Sequence, residues 1–142
     1  MLIRRLGISE GALAFIHLRS GIDVYAHWSG KTLAEERAQI TGHSVAHGHV
    51  GYLREAYDGE PYATKILVPE AFGGEVKIPA TLLRARLAEV LRTVMRRQAQ
   101  VYGRNADEAE AKVALKSFVE FVELCERKER VTGKPCLITV RH

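Results

Sequence analysis

The sequence has few cysteines and no long hydrophobic run, and both shortages exclude whole classes of protein. Cys125 and Cys136 are its only cysteines, and they have neither C-x-x-C spacing nor an adjacent histidine. This pattern excludes a disulfide framework and a zinc ribbon, and it predicts free thiols in a reducing compartment. Because no apolar run approaches the roughly 20 residues that span a bilayer, we expect no membrane insertion.

The composition of the 142 residues is ordinary for a folded protein, with 46% hydrophobic and 27% charged residues. A chain of this length can bury a substantial core, so we predict a single domain over residues 1–142. The first residues include two arginines but no apolar segment behind them, which argues against a secretory signal peptide. We therefore expect a cytoplasmic protein.

Short apolar runs separated by glycine-containing turns predict an N-terminal antiparallel β-meander over residues 2–8, 12–18 and 22–28. In the third run, apolar side chains alternate with Asp23, Tyr25 and His27, which predicts one buried face and one wetter face. The sheet segment should end at Gly30.

The middle of the chain carries helix signals of unequal strength. Thr32 and Glu35 form a capping box, and Gly42 is a natural stop for the helix that follows. The apolar spacing over residues 50–57 predicts another short helix. Residues 62–72 fit either a buried strand or a helix, and we favour the helix.

Two long helices dominate the C-terminal half. The first carries an apolar stripe and ends at Gly103, and the second begins with a capping box at Asn105 and Glu108. After Gly133, residues 136–142 alternate as a strand. The sequence thus predicts an α+β fold, in which an N-terminal antiparallel β-meander and a C-terminal strand pack on a long antiparallel helical hairpin and shorter helices.

The net charge of +4 is unevenly distributed along the chain. Residues 1–61 sum to −1, residues 62–104 to +5, and residues 105–142 to zero. Such a basic helix, over residues 81–104, could bind the phosphates of a nucleic acid, or its arginines could pair with glutamates of the next helix. The arginines concerned are Arg84, Arg86, Arg92, Arg96, Arg97 and Arg104.

The stretch "TGHSVAHGHVGY" contains His43, His47 and His49. On a helix, His43 and His47 would share a face and could hold zinc or another divalent metal. In a glycine-rich loop His49 could join them, with His27 as a further ligand. Without a metal, one of these histidines could act as a general acid or base. No established metal motif accompanies them, so a polar turn is the third reading.

The segment "VYAHWSG", residues 24–30, ends a predicted strand with a Tyr-x-His-Trp-x-Gly pattern. It resembles a segment of small uncharacterised bacterial and phage proteins, and the similarity extends loosely to "EPYATKILV". The resemblance implies an accessory or mobile-element protein and brings no activity with it.

Three functional hypotheses follow from these features. The first is a non-catalytic interaction or regulatory accessory protein that self-associates or binds a protein partner, without a cofactor. The second is a nucleic-acid-binding accessory protein that uses the arginine-rich helix. The third is a small hydrolase that depends on a metal or on the histidines. The first is favoured because no convergent catalytic set is visible.

Overall fold

A computed structural model describes residues 21–42, 47–57, 60–102 and 108–142 of the chain. In these residues the protein has an α+β fold, as the sequence predicts. The predicted strands 2–8 and 12–18 lie outside the described residues, as do Gly103 and Asn105. The strands are β1 (Gly21–His27), β2 (Tyr52–Ala56), β3 (Val76–Ile78) and β4 (Cys136–Arg141), and the helices are α1 (Leu33–Thr41), α2 (Ala63–Leu67), α3 (Ala80–Tyr102) and α4 (Glu108–Thr132).

The four described strands form one antiparallel sheet in the order β2-β1-β4-β3. β1 lies at the centre, with Val24 opposite both Leu53 of β2 and Val140 of β4. The predicted C-terminal strand is present as β4, and it pairs with the early strand β1. Ile22, Val24 and Ala26 are fully buried on the inner face, while Tyr25 and His27 point to the outer face and are partly exposed.

The helix predicted over residues 50–57 is wrong, because most of that segment is β2. A short 3-10 turn, Gly48–Val50, ends at Gly51, which adopts the left-handed conformation with a φ of 81°. This turn directs the chain into an extended strand beside β1. Backbone pairing with β1 outweighs the helical spacing of a few apolar side chains.

The helix signals of α1 and of residues 62–72 are confirmed. The capping box is present at α1, where the Glu35 amide donates to the Thr32 hydroxyl and the Thr32 amide donates to the Glu35 carboxylate. Residues 62–72 form α2 and a following 3-10 helix. The start of α2 has a remote cap, because the Ala63 and Thr64 amides donate to the carboxylate of Glu55 on β2, at 2.9 and 2.8 Å.

α3 and α4 form the expected antiparallel pair. The Ala80 amide at the start of α3 donates to Glu129, near the end of α4, at 2.9 Å. The predicted stripes face the core, and their fully buried members are Leu83, Val90, Phe121 and Val122. None of the described helices is long and apolar enough to cross a bilayer.

Candidate functional site

The outer face of the sheet carries polar side chains from its two central strands. Strand register places Thr139 of β4 opposite Tyr25 of β1, and Arg141 opposite Asp23. Residues opposite each other on neighbouring strands share a face, so these side chains form two adjacent rows. His27 closes the β1 row at the end of the strand that precedes α1.

His27 is held between a lysine and a threonine. The Lys31 ammonium lies 3.0 Å from His27 Nδ1, and Thr139 Oγ1 lies 3.0 Å from His27 Nε2. An ammonium group can only donate, so Nδ1 accepts, and the ring proton sits on Nε2 and is donated to Thr139. Burial, followed by the charge of Lys31, lowers the pKa of His27, and this favours the neutral ring.

Gln39 anchors α1 beside this cluster. Its side chain is only 4% exposed, and the two hydrogens of its amide nitrogen are shared among the carbonyls of Ala26, Val50 and Gly51 at 3.0, 2.9 and 3.2 Å. Its amide oxygen accepts from Lys31 at 2.8 Å. One buried amide therefore links α1 to the ends of β1 and β2 and holds Lys31 in place.

Trp28 fixes the same region from the other side. The Lys31 and Lys128 ammonium groups lie 4.7 and 4.8 Å from the centre of its ring, within the range of cation–π attraction. Lys128 of α4 also donates to the Glu35 carboxylate at 2.8 Å. This hydrogen bond, followed by the one from the Thr32 amide, lowers the pKa of Glu35 to about 2. Trp28 thus packs between Lys31, just before α1, and Lys128 of α4.

A groove separates α1 from the outer face of the sheet. It has a volume of about 370 Å³ and is lined by Tyr25, His27, Thr139 and Arg141 of the sheet and by Lys31 and Ile40 on the side of α1. We call it the α1 groove. A second depression of about 260 Å³, which Lys77 and Lys134 help to line, shares His27 as a wall. His27 therefore stands between two adjoining concave surfaces.

The described histidines of the predicted cluster have different partners. The rings of His47 and His49 meet edge to face at 5.3 Å, and His49 Nδ1 lies 3.8 Å from the Glu120 carboxylate. His43 lies outside the described residues, and His27 has Lys31 and Thr139 as its partners. Within the described part of the chain, no group of three or more histidine, cysteine or acidic side chains could hold a metal ion.

Gly48, in the same stretch of sequence, makes a close contact with α4. A Cβ atom on Gly48 would lie 1.8 Å from the Ser117 carbonyl oxygen and 2.6 Å from the Phe121 amide nitrogen. Only a residue without a side chain fits at such a distance. The turn Gly48–Val50 is therefore packed directly on the backbone of α4.

The described arginines of the basic helix all have acceptors within the chain, and the predicted pairing of α3 with a glutamate of α4 is present. Arg97 is buried, so it is not part of an exposed basic surface, and Arg104 lies outside the described residues. The ion pairs are Arg84 with Glu126 (2.7 Å), Arg86 with Glu70 (2.6 Å), and Arg92 and Arg96 with Glu89 (2.6 and 3.6 Å), and Arg97 donates to the Pro61 carbonyl at 3.1 Å.

Sequence reasoning singled out His27 but missed the residues that surround it. Thr139 is 112 positions away, and its place beside His27 depends on the pairing of β4 with β1. The alternation of residues 136–142 puts Thr139 and Arg141 on one face, which was the available signal. Nothing in the sequence marks Gln39 as a buried amide.

No protein-family model matches this chain, and no curated protein or solved structure does either.

Proposed function

We propose that this protein is a non-catalytic interaction protein that binds its partner in the α1 groove. The observation that supports the proposal best is the state of His27. Its Nδ1 accepts from Lys31 and its Nε2 donates to Thr139, so the ring has no free lone pair with which to take a proton from the threonine hydroxyl. The arrangement positions side chains and does not generate a nucleophile.

The groove has the mixed character of a recognition surface. Ile40 is 61% exposed on its rim, and the Tyr25 ring contributes an aromatic surface that stacks on Tyr52 at 5.0 Å. Concave sites of this size that combine apolar walls with a few fixed polar groups are the usual places for ligands. Because Gln39 and Lys31 are already held by hydrogen bonds, little side-chain entropy is lost on binding.

A matched pair of variants on α1 tests the proposal. Ile40 lines the groove and Leu33 does not, although Leu33 is 62% exposed and lies on the same helix. We would record amide chemical shifts against a fragment library of anionic, neutral and cationic members. Hits should perturb Tyr25, Thr139 and Arg141, and Ile40→Asp should weaken them while Leu33→Asp does not. Hits that perturb only other surfaces would refute the groove as the binding site.

A catalytic role makes a different prediction. If the hydrolase hypothesis is right, nitrophenyl esters or phosphate esters should be hydrolysed, with or without added zinc, and His27→Ala or His47→Ala should abolish turnover. Metal analysis of the purified protein tests the same hypothesis independently. Turnover that is lost in these variants would overturn the non-catalytic proposal.

The nucleic-acid hypothesis depends on the exposed arginines of α3. Glu89 lies against both Arg92 and Arg96 and reduces the positive field there. We therefore expect binding to a random DNA duplex at low salt to be weak and to change little when Arg92 and Arg96 are both replaced by glutamate. Strong, salt-sensitive binding that the double variant abolishes would favour nucleic acid as the partner.

Self-association and a cytoplasmic location belong to the same proposal. Sedimentation equilibrium tests the first directly, and a particle that stays monomeric at every concentration up to the solubility limit would remove self-association. A binding role in the groove does not depend on that result.

A further inference from the structure

We infer that the partner of the α1 groove presents an anionic group, a carboxylate or a phosphate, to the cluster of Lys31 and Arg141. The inference rests on the proposed function, because it names the chemistry of the ligand for that same groove. It is carried by the balance of charge around the groove and by a half-buried lysine that makes no direct ion pair with a described residue.

The charges that line the groove are mostly positive. Lys31 and Arg141 contribute cations, and Glu36 is the one acidic side chain on the lining. The adjoining depression adds Lys77 and Lys134 and has no acidic side chain on its lining. A concave surface with one sign of charge concentrates ions of the opposite sign.

Lys31 is a partly buried cation that makes no direct ion pair with a described residue, and Glu36 and Glu35 act on its charge only from a distance. Its three donors go to neutral acceptors, namely the Ala26 carbonyl, His27 Nδ1 and the Gln39 amide oxygen, at 3.1, 3.0 and 2.8 Å. Lys128, another partly buried lysine, is instead paired with the Glu35 carboxylate at 2.8 Å. A charge removed from water is costly until an opposite charge approaches it, so a bound anion would stabilise Lys31.

Arg141 completes the cluster at the other end of the groove. Its guanidinium lies over the Tyr25 ring at 5.8 Å, and it forms no ion pair with a described residue, although Asp23 lies opposite it on β1. Arg54, on the far row of the same sheet face, is instead matched by Asp23 at 2.8 Å. The planar donors of Arg141 suit the oxygens of a carboxylate or phosphate.

The experiment titrates the whole chain with inorganic phosphate and with citrate at constant ionic strength, using amide shifts as the readout. Saturable changes should appear at Tyr25, Thr139 and Arg141. Arg141→Gln should weaken binding about tenfold, whereas Arg92→Gln, an exposed arginine outside the groove, should not. Tighter binding of phosphate or of citrate identifies which anion the groove prefers.

A charge swap at one exposed position separates this inference from the proposed function. Ile40→Lys and Ile40→Asp alter the groove wall to a similar degree but differ by two charges, so the lysine variant should bind the anions about tenfold more tightly. Equal effects of the two variants, or shifts spread over exposed lysines without saturation, would overturn the inference. If neutral or cationic fragments occupy the groove while both anions fail, the groove remains a binding site and only its ligand chemistry is wrong.

Discussion

Replacing Gly48 by alanine tests how closely the turn Gly48–Val50 packs on α4. The added methyl carbon would lie 1.8 Å from the Ser117 oxygen and 2.6 Å from the Phe121 nitrogen. Ordinary contacts of a carbon atom are about 3.5 Å, so the turn or the helix has to move by more than about 1 Å. Ser117 and Phe121 are four residues apart, so these two atoms belong to one turn of α4 and cannot yield independently.

Overpacking of a well-packed site lowers the free energy of unfolding by about 1–3 kcal/mol. Because the added methyl group would meet backbone atoms and not flexible side chains, we expect Gly48→Ala to cost about 3 kcal/mol. For a chain of this size that is a fall in melting temperature of roughly 10 °C. Urea unfolding measures the loss of free energy, and thermal unfolding measures the fall in melting temperature. Gly73→Ala is the control, because Gly73 has open space around its Cβ position and should be within about 1 kcal/mol of the parent. If Gly48→Ala unfolds like the control, the packing inferred here for the turn is wrong.

Three further predictions concern groups with shifted pKa values. Glu35→Ala removes the capping partner and the Lys128 contact, and should cost about 1–2 kcal/mol in urea unfolding. Since the pKa of Glu35 is lowered from 4.5 to about 2, its contribution should be complete above pH 4.5 and decline as the pH falls towards 2, where the variant should unfold like the parent. Nitrogen-15 NMR should show His27 as the Nε2–H form with a pKa below 6.5. The contribution of His27 to the free energy of unfolding should then be present above pH 6.5 and be lost as the pH falls through the lowered pKa. A measured pKa above 6.5 would contradict the Lys31 contact. Cys125 and Cys136 are buried, and a hydrogen bond with Cys136, followed by burial, raises the pKa of Cys125. A thiol reagent should therefore label both cysteines only after denaturation, and rapid labelling of the folded protein would contradict their burial.

Much of the fold could be predicted because its signals are local. The alternation of residues 22–28 gave β1 and its outer face, and Thr32 with Glu35 gave the start of α1. β2 was missed because its strand state depends on pairing with β1, and the left-handed Gly51 that starts it is not distinguished by sequence from other glycines.

The site was predictable only in part. His27 attracts notice as a histidine at a strand end, but its chemistry is set by Lys31 and Thr139. Lys31 reaches it across the turn at Gly30, which has a φ of 83°, and Thr139 reaches it through strand register. Gln39 looks like a solvent-facing helix residue until the three carbonyls that it binds are known. Long-range polar contacts of this kind leave no periodic signal in the sequence.

The position of Trp28 between two ammonium groups has a practical consequence. The protein contains a single tryptophan, so all indole emission comes from this one place. Lys31 belongs to the α1 groove and Lys128 belongs to α4, so any loosening of α1 alters the surroundings of the fluorophore from one side only. Intrinsic fluorescence therefore offers a label-free reporter of α1 docking, and of any ligand that moves Lys31.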